Sequence, residues 1–195
     1  MSEQYFYVLY RAKLSFTFLN SSCELPDYTE FEQSLPALSV LSGHLEPLDR
    51  SSVKALHKYG REFARFADKQ TEMTARMNEI ISYIMERETE DLNYSTTMIS
   101  GSGFRFNLPS GQILNQSSVM KFRIALPEFG LFISGFAELK EYHQDPASPG
   151  INCVTAEYIM IRNSDREAII RAVTLIQQKE LRLRAEKKAE LNNDI

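Results

Sequence analysis

Tryptophan is absent, and only two cysteines, Cys23 and Cys153, occur in 195 residues. Two thiols are too few for a disulfide framework or a thiolate metal site. Histidine is nearly as scarce. His44, His57 and His143 are scattered and lack the close spacing of metal ligands. No Ser/His/Asp or Cys/His arrangement can be proposed from spacing, and Gly101 and Gly103 make no phosphate loop, because a strand follows and no lysine is supplied. No apolar run approaches the roughly 18 residues needed to span a bilayer. The opening MSEQYFYVLY has no basic leader and interleaves its apolar residues with Tyr and Arg, unlike a secretory signal. A formal charge of -4, with no basic stripe, speaks against broad nucleic-acid affinity. The expectation is a cytoplasmic protein with no metal, no membrane insertion and no nucleic-acid partner, and not an enzyme.

What the chain does have is a long heptad pattern. Leu56, Phe63, Gln70, Met77 and Ile84 fall at one core position of the repeat, and Tyr59, Phe66, Met73 and Ile80 at the other. Eight of these nine are apolar or aromatic, and no proline interrupts them. Seven-residue periodicity held this long marks a helix that supercoils against partners. The pattern predicts one helix over 53–91, roughly 58 Å long at 1.5 Å per residue. Its flanks carry both signs: Lys58, Arg61, Glu62, Arg65, Lys69, Glu72, Arg76 and Glu79. A rod of that length outruns any small domain beside it, so the seam is expected to meet copies of itself. Large aromatics in the seam need wide holes, which favours a bundle over a pair, and a homotetramer is expected. Gln70 then forms a buried polar layer that fixes register. Beyond the seam, Glu86, Glu88, Glu90 and Asp91 crowd the helix end, where carboxylates oppose the helix dipole and read as a splayed, solvated terminus.

On both sides of this helix the chain reads as strand. Residues 4–20 are aromatic and β-branched, with Leu14, Phe16 and Phe18 alternating against Ser15 and Thr17. A lone strand is not stable, so it must pair with strands found much later. Residues 21–48 read as loop and short helix. Pro26-Asp27 opens the stretch, Phe31, Leu35, Leu38 and Leu41 recur at helical spacing, Pro36 forces a break, and Gly43 is a stop. Asp49, Ser51 or Ser52 then caps the long helix. From Tyr94 the period becomes two. Turns are read at Ser100–Gly103, at Pro109-Ser110-Gly111, at Pro127–Gly130 and over Gln144–Gly150. Met120, Phe122, Ile124 and Leu126 alternate with Lys121, Arg123 and Ala125, and Leu131–His143 and Ile151–Arg162 follow as strands, Cys153 being taken as a core residue. Successive short strands with turns between them predict an antiparallel sheet closing into a small barrel. Asn163, Ser164 or Asp165 caps a last helix whose Ile169, Ile170, Val173 and Ile176 lid the barrel, and which frays or projects after Leu183. The fold class is α+β with a mainly β core. It divides into a first strand (1–20), a helical insertion (21–93) and the remaining barrel with the closing helix (94–195).

The order of elements, with two of its turns, resembles the PilZ family. Ile99-Ser100-Gly101-Ser102-Gly103 running into Phe104-Arg105-Phe106 is similar to the Asx-x-Ser-x-x-Gly turn of PilZ domains. Leu126-Pro127 after an alternating strand resembles that family's Leu-Pro, and the helix from about Arg166 resembles its closing helix. The resemblance covers residues 94–185 and takes 4–20 as a first barrel strand. The helical insertion resembles that of atypical, coiled-coil PilZ proteins that assemble as tetramers. It implies a six-stranded antiparallel barrel, a role in cyclic di-GMP signalling, and a remnant nucleotide site at Ser100, Gly103 and Arg105. The family also uses an Arg-x-x-x-Arg segment before the first strand. None precedes Tyr5, and Arg61 and Arg65 match the spacing only on the heptad helix. Met98 stands where the family has Asp or Asn. The expectation is an adaptor that does not bind cyclic di-GMP and works through a protein partner the sequence does not name. The alternative is a receptor that uses other arginines, such as Arg11 or Arg105.

Overall fold

In the computed structural model, residues 6–19, 24–42, 50–88, 92–109, 118–144 and 150–193 are described. The expected first strand divides in two, β1 (Val8–Leu9) and β2 (Lys13–Phe18). The insertion follows as α1 (Tyr28–Gln33), α2 (Ala37–Ser42), α3 (Arg50–Lys58) and α4 (Arg61–Glu88). Then come β3 (Tyr94–Ile99), β4 (Gly103–Pro109), β5 (Val119–Leu126), β6 (Leu131–Gln144), β7 (Ile151–Met160) and α5 (Asn163–Asn193). Around the barrel the strands run β3, β2, β5, β6, β7, β4 and back to β3. Those six strands pair antiparallel throughout and close on themselves. Closure removes the open edges that would otherwise invite aggregation.

The split of the first strand is a β-bulge. Leu9 pairs with Met98 and Lys13 with Ser95, so four steps on one strand oppose three on the other. The Thr96 hydroxyl fills the gap. It accepts from the Ala12 N–H at 2.9 Å and donates to the Tyr10 carbonyl at 2.8 Å. A bulge bends the strand and lets β2 swing from β3 to β5. There Leu14 faces Ile124 and Phe18 faces Met120.

Period-two patterning decides which side chains fill the barrel. Phe104, Phe106 and Leu108 on β4, Met120, Phe122 and Ile124 on β5, and Val154 and Ala156 on β7 are all buried. Ala168, Ile169, Ala172 and Val173 of α5 close one end, while Ile176 packs partly and Ile170 is half-buried. Cys153 is a correction to the sequence reading: it sits on the outer side of β7, half-exposed, with its thiol 3.6 Å from Asn107 Oδ1. One further expectation changes. α5 closes its first turn on the Arg162 carbonyl, which accepts from the Arg166 N–H at 3.0 Å, ahead of the expected caps. Of the two outcomes expected after Leu183, the helix takes the projecting one and continues as far as Asn193.

The insertion covers part of the barrel wall. Ala125 and Phe132 are cross-strand neighbours of the β5–β6 hairpin. Leu38 of α2, Ile81 and Met85 of α4, and Leu92 bury themselves against them in a second core. Hydroxyls pin α2 in place. Ser42 Oγ accepts from the Phe132 N–H at 3.2 Å, and Ser39 Oγ meets Ser134 Oγ at 2.9 Å. Phe31 of α1 is buried with its ring 6.0 Å from that of Phe136. Asp27 and Glu30 form a reciprocal capping box at the start of α1. Expectations at Asn20 to Cys23, Gly43, His44, Asp49, Glu90, Asp91, Ser110, Gly111 and 145–149 lie outside the described residues, as do the side chains of Ser51, Ser52, Glu86 and Glu88.

Candidate functional site

The single helix expected over 53–91 is two helices. Gly60 separates them at φ 119, a left-handed backbone that favours glycine. His57 Nε2 lies 3.1 Å from Asp68 Oδ1. On one continuous helix these residues would stand roughly 16 Å apart along the axis. The chain therefore folds back, and α3 packs along the first turns of α4, where Ala67 is completely buried. Leu56 thus belongs to α3, and Tyr59 to the turn, with its ring 6.2 Å from that of Phe63. A heptad count does not see such a reversal, because glycine in a helical pattern costs only about 1 kcal/mol relative to alanine and leaves the periodicity intact.

The other seven seam residues share one face of α4. Phe63, Phe66, Met73 and Ile80 are between 53% and 61% exposed, whereas Met85, on the face toward the barrel, is completely buried. Gln70 lies among them, also exposed, and Met77 and Ile84 are less so. Ile81 and Met85 pack α4 against the barrel. They fall beside the heptad core positions, so the pattern did not single them out. The row continues through Tyr83, 61% exposed, whose ring lies 6.0 Å from the Arg87 guanidinium. A contiguous apolar row of this kind, rimmed by charge, is the ordinary mark of an interaction site.

The turn between β3 and β4 is the second candidate. Ser100 is completely buried. Its Oγ accepts from the N–H groups of Ser102 and Gly103, both at 3.1 Å, and donates to the Gly103 carbonyl at 3.2 Å. Those bonds hold the turn and leave the hydroxyl little to offer a ligand. Gly103 has a packing reason of its own. A Cβ there would fall well inside contact with the Ala156 carbonyl oxygen on β7. Gly103→Ala is expected to destabilise the barrel by about 1–3 kcal/mol, as overpacking does, in a urea titration of the whole chain. Unchanged stability would contradict this packing role.

Arg105, the third remnant residue, is half-buried on β4. Its guanidinium carbon lies 4.6 Å from the Tyr7 ring centroid, and Nη1 approaches Met98 Sδ at 3.8 Å. A thioether is a weak acceptor where a carboxylate would be a strong one. Arg105 Nε is buried with no hydrogen-bond partner among the described residues. Arg11 is exposed in the bulge between β1 and β2. Arg61 and Arg65 are exposed on α4, on the helix and away from the first strand. Close to the turn the structure brings a residue that was not anticipated. Arg166, in the first turn of α5, donates to the Gly101 carbonyl at 2.9 Å. Burial pushes the pKa of the nearby Tyr158 hydroxyl well up, with Tyr7 adding to the shift and Arg166 opposing it. Arg162 and Arg166 have the four-residue spacing of paired arginines, and that spacing was the available signal. Arg162, however, is turned to a different task. It forks onto Asp165 with Nε at 2.9 Å and Nη2 at 2.7 Å, and donates from Nη2 to the Ser39 carbonyl of α2. Among the described residues no group of three or more His, Cys, Asp or Glu side chains is placed to hold a metal.

No protein-family model and no curated protein matches the sequence. Among solved structures the chain is similar to a pathogenic protein from Xanthomonas campestris, a tetrameric PilZ domain self-assembled via an unusual helical bundle. The two are 12% identical, the match covers 92% of this chain and 91% of that one, and the TM-score is 0.52. The fold is PilZ-like. The inhibitor of motility MotI/DgrA of Bacillus subtilis is similar over a shorter stretch, at 23% identity and a TM-score of 0.40. That match covers 46% of this chain and 42% of that one, so this chain spans under half of that protein's length. The PilZ-like barrel accounts for β2 to β7 and the closing helix. No described helix is long and apolar enough to cross a membrane.

Proposed function

We propose that this chain is a non-enzymatic regulatory adaptor of the PilZ type in cyclic di-GMP-linked signalling. In this reading it is cytoplasmic, assembles through α4 as a homotetramer, contacts a protein partner, and takes no cofactor, cyclic di-GMP included. The observation that carries the reading is the exposed row Phe63, Phe66, Met73 and Ile80. Exposed apolar surface is costly to leave in water, at about 25 cal/mol per Å² of apolar area. The similar Xanthomonas protein is a tetramer self-assembled via a helical bundle, and α4 offers this chain a surface for an assembly of the same kind.

The turn supports the second half of the reading. Ser100 is spent on backbone bonds, Gly103 is packed against β7, and Met98 replaces a hydrogen-bonding side chain. Contacts to a charged ligand are worth roughly 1.5–3 kcal/mol each, so losing two or three takes a micromolar binder to millimolar or weaker. Isothermal titration of the whole chain with cyclic di-GMP is expected to give no saturable heat at micromolar concentrations. The unpartnered Nε of Arg105 favours a second reading, a receptor that uses this arginine. A saturable low-micromolar heat that Arg105→Ala abolishes would establish that reading and overturn the first.

A further inference from the structure

The heptad phase runs unbroken across Gly60. Leu56 and Tyr59 on its N-terminal side fall at the same two core positions as Phe63 and Phe66 on the other. A fixed reversal places no demand on that phase, because α3 and α4 then turn their faces to different neighbours. A continuous helix does. It would bring Leu56 and Tyr59 into line with the exposed row and lengthen the row by one heptad. Heptad pairing becomes dependable at roughly three to four repeats, so one repeat matters to a row this short.

What holds the folded-back form is slight. Gly60 has φ 119, and a Cβ built on it would meet nothing within 4 Å, so no neighbour is packed onto the turn. Along α4 the arm meets small side chains: Ala67 is buried, and Ala64 and Thr74 are half-buried. Among the described side chains of α3, only Val53 and Leu56 are half-buried, and the others are exposed. The His57–Asp68 contact joins two exposed groups, and a surface pair of that kind contributes little. The break itself is unfavourable. It leaves terminal backbone groups of both helices without the helical partners that a continuous helix would supply.

We infer that Gly60 is a hinge and α3 an arm with two positions, folded back on α4 while the row lies in water and continuous with α4 when the row is covered. The inference rests on the reading that α4 self-associates. Covering the row favours the continuous position, because only there do Leu56 and Tyr59 add their apolar surface to the contact. In the lone chain the arm stays back, where Val53, Leu56 and Ala67 shield one another. Assembly is thereby regulated at Gly60: its apparent affinity is reduced by the share of chains whose arm is not yet open.

Spin labels on Lys54→Cys and Thr71→Cys read the arm by pulsed dipolar spectroscopy. They are placed in the 195-residue chain carrying Cys23→Ser and Cys153→Ser, diluted into unlabelled chain so that only distances within one chain are seen. Three residues on from His57 and Asp68, the hairpin sets these positions side by side, with helix axes roughly 8–10 Å apart. On a continuous helix they stand roughly 26 Å apart along the axis. The expected result is the long distance in the assembled chain and the short one in the chain made monomeric by Phe66→Asp. Gly60→Ala is expected to raise the long population of the monomeric chain about tenfold, because alanine is disfavoured at positive φ and favours helix over glycine. A short distance in the assembled chain, or a long one in the monomeric chain with Gly60 intact, would overturn the inference. So would a Gly60→Ala chain that stays folded back. A wild-type chain that sediments as a monomer would remove the self-association reading. The Gly60→Ala distance then decides the hinge by itself, the long one upholding it and the short one overturning it.

Discussion

Arg162→Ala is expected to lower the stability of the chain by about 3–5 kcal/mol, as breaking a buried ion pair does. For a chain of this size that is a fall in melting temperature on the order of 10 °C. Arg162 and Asp165 are 8% and 1% exposed, and the guanidinium forks onto the carboxylate with two charge-assisted bonds. Truncation takes that fork from a carboxylate that stays buried. It also takes a donor from the Ser39 carbonyl, and so loosens α2, whose Leu38 helps seat Ile81 and Met85 of α4. Hydrogen exchange of the α2 amides should accelerate in the variant. A double variant, Arg162→Ala with Asp165→Ala, should lose much less than the sum of the single losses. Additive losses would show that the two residues are not coupled.

Phe66→Asp is expected to dissociate the proposed assembly at micromolar concentration and leave the folded chain nearly as stable as before. The ring is 61% exposed in the chain, so its loss removes little intrachain packing. Surface substitutions of that kind usually change stability by no more than about 0.5 kcal/mol. In an assembly, each buried phenylalanine contributes about 1.5–3 kcal/mol, and the aspartate would add the desolvation of a charge in every copy. Met85→Asp is the contrast. Met85 is completely buried between α4 and the barrel, and its replacement should unfold the monomer. If Phe66→Asp and Met85→Asp gave the same outcome, whether both unfolded or both harmless, the division of α4 into an inward and an outward face would be wrong.

The parts of this fold legible in the sequence are those set by local periodicity. Strict alternation at Met120, Phe122 and Ile124 placed β5 and its inward face, and the resemblance of the turn at Ile99–Gly103 to that of PilZ domains pointed to the barrel. The bulge at Tyr10 to Ala12 was not legible, because its cause is Thr96, more than eighty residues away. The reversal at Gly60 was hidden for a different reason. Heptad positions on either side of it stay in phase, and only φ distinguishes a turn from a continuing helix. Cys153 was misplaced because β7 carries small and apolar residues on both faces, so alternation gives no sign of which side is inward.

The candidate site was legible in its residues more than in its geometry. Seven of the nine seam positions share one exposed face, yet the contacts that anchor their helix come from Ile81 and Met85, which lie beside the repeat. At the turn, the residues that suggested a nucleotide remnant turn out to have structural duties. Ser100 closes the turn, and Gly103 makes room for the Ala156 carbonyl. Their types are the same in either role, so composition alone does not tell a binding turn from a closed one. Arg162 and Arg166 acquire their roles only when α5 is set against α2 and the turn.

Sedimentation equilibrium of the 195-residue chain at micromolar concentration tests the central claim most directly. The expected result is a species of four times the 22.4 kDa chain mass. A single species of 22.4 kDa would show that the row from Phe63 to Ile84 stays in water and that α4 is not the assembly element.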